Sequence, residues 1–314
     1  MVAILLPLTL AIRGTSNLTG EGPAQSEQTS TESSTAIKPS PDLAPGSTGF
    51  YAPKAAPFNA NDPSPDWNAS PGRFWYHRLT DRQRGIYDVY YAALSSGSLE
   101  CHVDIDSFDE DFNIVSGAVY LDNPELFWYK DYFNYTYWDE PGQGMDITFG
   151  SYYDLESVPV YQQQVEARIE EFLATVPLTA TSYEKAQLAY VWLANQSVYE
   201  YCEHDQIITS TLLEGHSVCA GYARTYQVLL ERMGIPCATL HGYNDSDPEE
   251  GHLWNIVSIG GVTGYVDVTW GDMDDGDVDP QYFFFNDKLL EQIGHHIDAD
   301  DQAKVPPCPY ARHR

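Results

Sequence analysis

The chain has 314 residues, of which 43% are hydrophobic and 13% aromatic, which is enough for a substantial core in one or two domains. Its 46 acidic residues against 16 basic ones give a formal net charge of −30. This charge argues against nucleic acid and against an anionic membrane surface as partners, and it favours plain solubility or cationic partners.

The chain begins with an apolar run, MVAILLPLTLAI, over residues 1–12. The run is too short to span a bilayer as a helix, and its length is that of the apolar part of a secretory signal, although no basic residue precedes it. It therefore predicts a signal or an uncleaved anchor, and an exported, extracellular or cell-surface protein. Any membrane contact is expected through this segment alone. Residues 13–72, rich in Ser, Thr, Pro, Gly and Ala, predict a disordered linker.

A folded α+β body is predicted from residue 73 onward, as a small aromatic-rich accessory domain over 73–157 and a second domain over 158–314. Helical spacing over 79–94 predicts the first helix, starting at Thr80–Asp81. The alternating, strongly aromatic stretch 113–153 predicts a small antiparallel sheet. Its rings fit a packed core better than a carbohydrate-binding platform.

Further helices are predicted over 159–175, from a capping box at Thr181, and from Val218 onward behind Ser217 as the N-cap. The last of these helices is expected to end at Gly234, as a left-handed C-cap. Cys219 then lies in the first turn of the last helix. Free N–H groups and the positive end of the helix dipole stabilise a thiolate there. The small residues Ala220 and Gly221 are expected to leave room for a substrate.

Three strands are predicted after this helix, over 237–243, 252–259 and 262–270, with 244–251 as a polar loop. Gly260–Gly261 favours a two-residue hairpin between the last two strands. That register pairs His252 with Thr269 and Trp254 with Asp267, so His252 and Asp267 share one face within hydrogen-bonding reach. A three-residue turn would put them on opposite faces.

Cys219, His252 and Asp267 together form a complete set for thiol-mediated acyl transfer. A thiolate attacks an amide carbonyl, an imidazolium delivers its proton to the leaving amine, and a carboxylate orients the ring. The backbone N–H of Cys219 supplies one oxyanion donor, and Gln206 is the candidate for the second, with a surface glutamine of no role as the alternative. Trp254, Tyr222 and Trp270 are candidate substrate contacts.

Five cysteines are present, at positions 101, 202, 219, 237 and 308. In an exported protein, four could form two disulfides in three different pairings, with Cys219 left free. Five ordinary thiols are the alternative. His295, His296 and Asp298 form a cluster that is read as a surface or core group, because no Cys or His set has the spacing of a zinc site. No metal and no organic cofactor is predicted.

The strings GHSVCAGYARTYQVLLERMGIPC, GHLWNIV and YVDVTWGD, in this order, resemble the bacterial transglutaminase-like superfamily over roughly residues 180–300. The resemblance implies a papain-like α+β core in which a cysteine-bearing helix packs on an antiparallel sheet. It also implies Cys219 as nucleophile, His252 as base and Asp267 as the orienting acid. Leu253 departs from the family, which usually has a small residue at this position.

The sequence therefore predicts a cysteine peptidase or acyltransferase that acts on a protein or peptide, including one at a cell surface. Its thioester acyl-enzyme is resolved by water or by an amine. The alternative is a catalytically silent extracellular scaffold that binds protein or glycan through its aromatic middle region.

Overall fold

The computed structural model describes residues 4–6, 73–137, 142–273 and 276–309. The predicted linker over 13–72 and most of the predicted signal or anchor segment lie outside the described residues. The helices are α1 Asp81–Ser95, α2 Glu110–Asp122, α3 Val158–Leu173, α4 Ser182–Gln196, α5 Cys219–Arg232, α6 Val268–Gly271, α7 Asp287–Gln292 and α8 Ala299–Gln302. The strands are β1 Ile4–Leu6, β2 Glu100–Val103, β3 Tyr129–Tyr137, β4 Met145–Ser151, β5 Val198–Tyr199, β6 His216–Ser217, β7 Cys237–Asn244, β8 Asp247–Ile259, β9 Val262–Val266 and β10 His295–Ile297.

The chain is a mixed α and β protein in which helices pack on antiparallel sheets, as the sequence predicted. Two capping boxes open α1 and α4, with Thr80 bonded to Gln83 and Thr181 bonded to Glu184. Each box satisfies backbone donors that the first turn of a helix leaves unpaired. The helix predicted over 159–175 is α3.

The first four-stranded sheet has the order β1-β3-β4-β2. The prediction of a sheet over the whole of 113–153 is wrong for its first part, because α2 extends to Asp122. Strands β3 and β4 do pair antiparallel, and buried and exposed residues alternate along β4 up to Phe149. Trp128 is fully buried in the core, as expected for packing rather than glycan binding.

The second four-stranded sheet has the order β10-β7-β8-β9 and carries the predicted site residues. The Gly260–Gly261 hairpin has the predicted register, with Ile259 opposite Val262. Both glycines have positive φ (61° and 81°), the conformation that a tight two-residue turn requires. Residues 247–251 belong to β8 rather than to a loop, so the polar loop is a turn at Asp245–Ser246.

Helix α5 packs against β7 and β8 and places Cys219 at its first position. Its N-cap is Val218, which corrects the prediction of Ser217. The Ser217 hydroxyl donates to the backbone oxygen of Asp205 (2.5 Å) instead. The helix ends as predicted, with Gly234 in the left-handed conformation (φ 72°) just after it.

One continuous cluster of buried side chains runs through both predicted domains. The Trp75 indole N–H, in the N-terminal part, donates to the backbone oxygen of Thr239 on β7 (2.9 Å). All five cysteines are free thiols, which is the second of the two alternatives that the sequence left open. Within the described ranges, no helix has the length and apolarity to cross a bilayer.

Candidate active site

Cys219 lies at the N-terminus of α5 with only 9% of its surface exposed. Among the described residues, no acceptor bonds its backbone N–H, as expected for the first residue of a helix. This N–H therefore remains free to bind a substrate oxygen beside the sulfur. The expectation for Gly221 is corrected, because a side chain there would collide with Ser217 and Thr211, so its small size serves helix packing.

His252, on β8, donates its Nε2–H to Asp267 Oδ2 (2.8 Å). Its other ring nitrogen is left for Cys219, which interacts with the ring. Burial lowers the pKa of His252, but the Asp267 carboxylate and Cys219 outweigh it and raise this pKa to about 10. The ring is therefore an imidazolium at neutral pH, held between the Asp267 carboxylate and the Cys219 sulfur.

Asp267 is completely buried and caps the short helix α6. Burial alone would raise its pKa, but His252 and His295 lower it well below the ordinary value. The Trp270 backbone N–H donates to Oδ1 (3.0 Å). The strand predicted over 262–270 thus ends at Val266, and the helix cap, rather than a strand register, fixes the carboxylate.

His295, on β10, is a second histidine on the same carboxylate, and no sequence reasoning placed it there. Its Nε2–H donates to Asp267 Oδ2 (2.8 Å), and its side chain is completely buried. Its ring also makes an edge contact with His252, with centroids 5.0 Å apart. Asp267 therefore accepts hydrogen bonds from two histidines and one backbone amide.

Asn244 orients the ring of His295. Its Oδ1 accepts from the Ser246 backbone N–H (2.8 Å), which identifies the other amide atom as nitrogen. That nitrogen donates to Ile293 O and to His295 Nδ1, both at 2.9 Å. Since His295 Nδ1 accepts a hydrogen bond, Nε2 is the ring nitrogen that donates to Asp267.

Gln206 lies in a turn that is bonded to the start of α5. The Val218 N–H donates to Asp205 O (3.1 Å), and the buried Arg224 donates to Gln206 O (3.3 Å). Arg224 also stacks over the Tyr120 ring at 3.8 Å. The backbone of this turn is therefore held beside Cys219, while the Gln206 side chain is exposed.

The three predicted substrate contacts differ in exposure. Trp254 and Tyr222 are 1% and 0% exposed, which corrects their role from substrate contact to packing. Trp254 stacks on His252 (centroids 5.7 Å apart), and the Tyr222 hydroxyl donates to Asp272 (2.5 Å). Trp270 is half-buried and lies against His252 and His295, so it remains a candidate contact.

Two exposed tyrosines beside Cys219 were missed from the sequence. Tyr199 and Tyr201 are 42% and 66% exposed, and their rings meet edge to face. Burial, the Tyr201 hydroxyl and the charge of Cys219 raise the pKa of Tyr199. The sequence signal was the apolar pair Val198–Tyr199. These two residues are exposed and pair with β6 just before Cys219.

Comparisons with known proteins identify the kind of domain that holds this site. The model of the transglutaminase-like superfamily matches residues 173–274, which include Cys219, His252 and Asp267. The human protein Kyphoscoliosis peptidase is 26% identical over 134 residues, or 37% of this chain and 20% of the relative. The chain thus spans about a fifth of the length of that curated relative.

Two solved structures are also similar. One is the crystal structure of a TGase (12% identity, TM-score 0.30, 62% of this chain and 56% of that one). The other is a candidate cysteine protease from Cytophaga hutchinsonii (18% identity, TM-score 0.29, 51% of this chain and 58% of that one). These TM-scores are too low to carry an argument.

Residues 173–274, about a third of the chain, therefore form a transglutaminase-like domain. The match supports cysteine-dependent acyl-transfer or peptidase chemistry in general terms.

Proposed function

We propose that this protein is a cysteine peptidase or amidase with Cys219 as nucleophile, His252 as general acid and base, and Asp267 as the orienting carboxylate. The observation that carries the proposal is that the His252 ring donates to Asp267 Oδ2 (2.8 Å) while it also interacts with Cys219 at the start of α5. The Asp267–His252 pair is buried. Burial of these groups is costly unless each is paired, and here each is paired.

The reaction begins when the Cys219 sulfur attacks an amide carbonyl and a C–S bond forms. The carbonyl oxygen becomes an oxyanion, which the Cys219 backbone N–H binds; Gln206 is the proposed second donor. The C–N bond then breaks, and His252 gives its proton to the leaving amine. Because the pKa of His252 is raised to about 10, the ring still carries this proton at neutral pH.

A thioester on Cys219 remains after the amine leaves. The now neutral His252 takes a proton from water as the water attacks the thioester. The C–S bond then breaks, the acid product leaves, and the Cys219 thiolate is restored beside the protonated His252. An amine in place of water would give crosslinking through the same intermediate. Hydrolysis of peptide or isopeptide bonds is the proposed outcome, and the name of the human relative, a peptidase, supports it.

The surface next to Cys219 favours a peptide or protein substrate with apolar and basic side chains. Tyr199 and Tyr201 offer exposed rings, and the Tyr201 hydroxyl donates to Glu250 (2.6 Å). The net charge of −30 favours a cationic partner over an anionic one. An exported or cell-surface location, with membrane contact through residues 1–12 alone, is part of the proposal.

Intact-protein mass spectrometry with an activated ester tests the proposal. The wild type should gain one acyl group on Cys219 in a rapid burst. Added primary amines should shorten the lifetime of this acyl-enzyme only if they compete with water for the thioester. Cys219→Ala should gain none and lose at least about 1000-fold in peptide hydrolysis. Cys237→Ala, which removes a buried thiol outside the site, is the matched control.

Acylation elsewhere, or a stable protein that hydrolyses no peptide, would contradict the proposal. Ligand binding that survives loss of Cys219 would instead support the silent scaffold. Within the described part of the middle region, Trp128 and the other core rings are buried and offer that scaffold no exposed aromatic platform.

A further inference from the structure

A second group of reactive side chains lies upstream of the α5 start, outside the Cys219 site. Cys202, Glu214 and His216 each present one ligand atom, and these atoms all lie within 4.8 Å of one another. They comprise a thiol, a carboxylate and an imidazole. The proposed acyl-transfer chemistry uses none of the three.

The local backbone builds this group. Glu214 ends a π-helical turn, Gly215 follows in the left-handed conformation (φ 77°), and His216 begins β6. Gly215 permits this conformation without strain, and it brings Glu214 Oε2 to 3.3 Å from His216 Nε2. Zinc–ligand bonds of about 2.0–2.3 Å at tetrahedral angles separate ligand atoms by roughly 3.3–3.7 Å.

The group is open to an ion and lies in a negative field. The side chains of His216 and Glu214 are 33% and 30% exposed, and Cys202 is half-buried. The negative charges of the Asp205, Glu214 and Glu200 carboxylates interact with the Cys202 sulfur. Arg168 lines a cavity that Glu214 also lines, but its guanidinium is bonded to Glu171 and Gln196.

We propose that Cys202, Glu214 and His216 bind one zinc ion, with water as the fourth ligand. Thiolate and imidazole ligands favour zinc over the hard cations Mg²⁺ and Ca²⁺, and a three-residue set with one open position is common among zinc sites. Binding converts the Cys202 thiol to a thiolate and releases its proton to solvent. The neutral His216 ring donates its Nε2 electron pair to the metal.

The zinc would cross-link the two segments that border Cys219. Cys202 begins the turn that carries Gln206, and His216 is in the strand that leads into α5. Protein contacts already join these segments, because the Ser217 hydroxyl and the Val218 N–H both donate to Asp205 O. The ion therefore holds the turn at the mouth of the site in one position.

The test must distinguish the proposed site from a second cluster of potential metal ligands. Among the described residues, His252, Asp267 and His295 also have ligand atoms this close. In that cluster, Asp267 Oδ2 already accepts a hydrogen bond from each of the two rings. A metal on those residues would be lost with His252, whereas a metal at the proposed site would not.

The experiment titrates the full chain, stripped with a chelator, with Zn²⁺ against a coloured competing chelator, and then with Co²⁺. We expect one Zn²⁺ per chain and, with Co²⁺, the thiolate charge-transfer band and strong visible bands of a tetrahedral site. Cys202→Ser and His216→Ala should each lower Zn²⁺ affinity roughly 100-fold and remove the thiolate band or weaken the spectrum. Cys101→Ser, Cys219→Ala and His252→Ala should leave both unchanged.

A direct measurement on the wild type guards against variants that fail to fold. Bound Zn²⁺ should slow alkylation of Cys202 at least about tenfold, by peptide mass spectrometry, without slowing that of Cys101. Binding that persists in Cys202→Ser, or that disappears with Cys219→Ala or His252→Ala, would overturn the proposal. So would the absence of stoichiometric Zn²⁺ and of Cys202 protection in the wild type.

Discussion

The two four-stranded sheets solve the same packing problem with different side chains. The buried side chains of β2, β3 and β4 are apolar or aromatic, whereas the sheet of β7–β10 also buries His252, His295, Asn244 and Asn255. The first sheet is stabilised by the burial of apolar surface area alone. The second must satisfy every polar group with a partner, and that requirement is what a reactive site also needs. The difference predicts that the first sheet responds to changes in volume and the second to isosteric changes in charge.

The largest expected effect is a loss of volume in the first sheet. Phe149 is 3% exposed and packs against Tyr90, with centroids 4.9 Å apart. Phe149→Ala should lower the free energy of unfolding by about 3–5 kcal/mol, whereas Phe149→Leu, which keeps most of the volume, should cost less. Urea unfolding measures both. The alkylation rate of Cys219 should stay at the wild-type value in the folded fraction of each variant, and a change there would couple the two sheets.

The second effect is the pH dependence of stability that His252 confers. Its folded pKa of about 10 lies above the ordinary 6.5, so its stabilisation is fully present below pH 6.5 and is lost as the pH rises to about 10. The loss should be on the order of a few kcal/mol. Asp267→Asn keeps the shape but removes the charge that raises this pKa, and should flatten the curve. Urea unfolding from pH 6 to pH 10 measures it, and equal slopes in both proteins would contradict the assignment.

The sequence predicted those parts of the structure that local chemistry decides. The Gly260–Gly261 turn set the β8–β9 register, the Thr181 box opened α4, and Gly234 closed α5. Helix α2 was misread because it is buried on nearly every side, from Phe112 to Asp122, and so lacks the polar face that reveals a helical period.

The candidate site was only partly predictable for a different reason. His252 and Asp267 follow from one hairpin, although a helix cap rather than a strand positions the aspartate. His295 reaches Asp267 because β10 pairs with β7. In this pairing His295 lies opposite Asn244, which is 51 residues earlier in the chain. Gly242 permits this approach, since a side chain there would collide with His296 O and Trp254. No local pattern encodes such a strand order.

The third effect tests His295 as a positioning residue. His295→Leu removes one donor to Asp267 and leaves Asn244 with only Ile293 O of its two described acceptors, so turnover should fall about 10- to 100-fold with KM nearly unchanged. His295→Gln, which retains an N–H donor, should recover part of the loss. A merely structural role would predict equal turnover per folded molecule in both variants, which peptide hydrolysis calibrated by active-site titration distinguishes.

The smallest effect concerns the exposed tyrosines that neither sheet contains. Tyr201 is 66% exposed, and its hydroxyl interacts with the exposed residues Glu250 and Tyr199, so its removal should not disturb the fold. If this ring binds substrate, Tyr201→Ala should raise KM about three- to tenfold, as expected for loss of one partly buried aromatic contact, while kcat changes little. Tyr201→Phe, which keeps the ring and loses the hydroxyl, should behave like the wild type. If instead Tyr201→Ala lowers kcat at constant KM, the ring acts on Cys219 rather than on substrate, and the functional surface extends from the second sheet into the β5 segment.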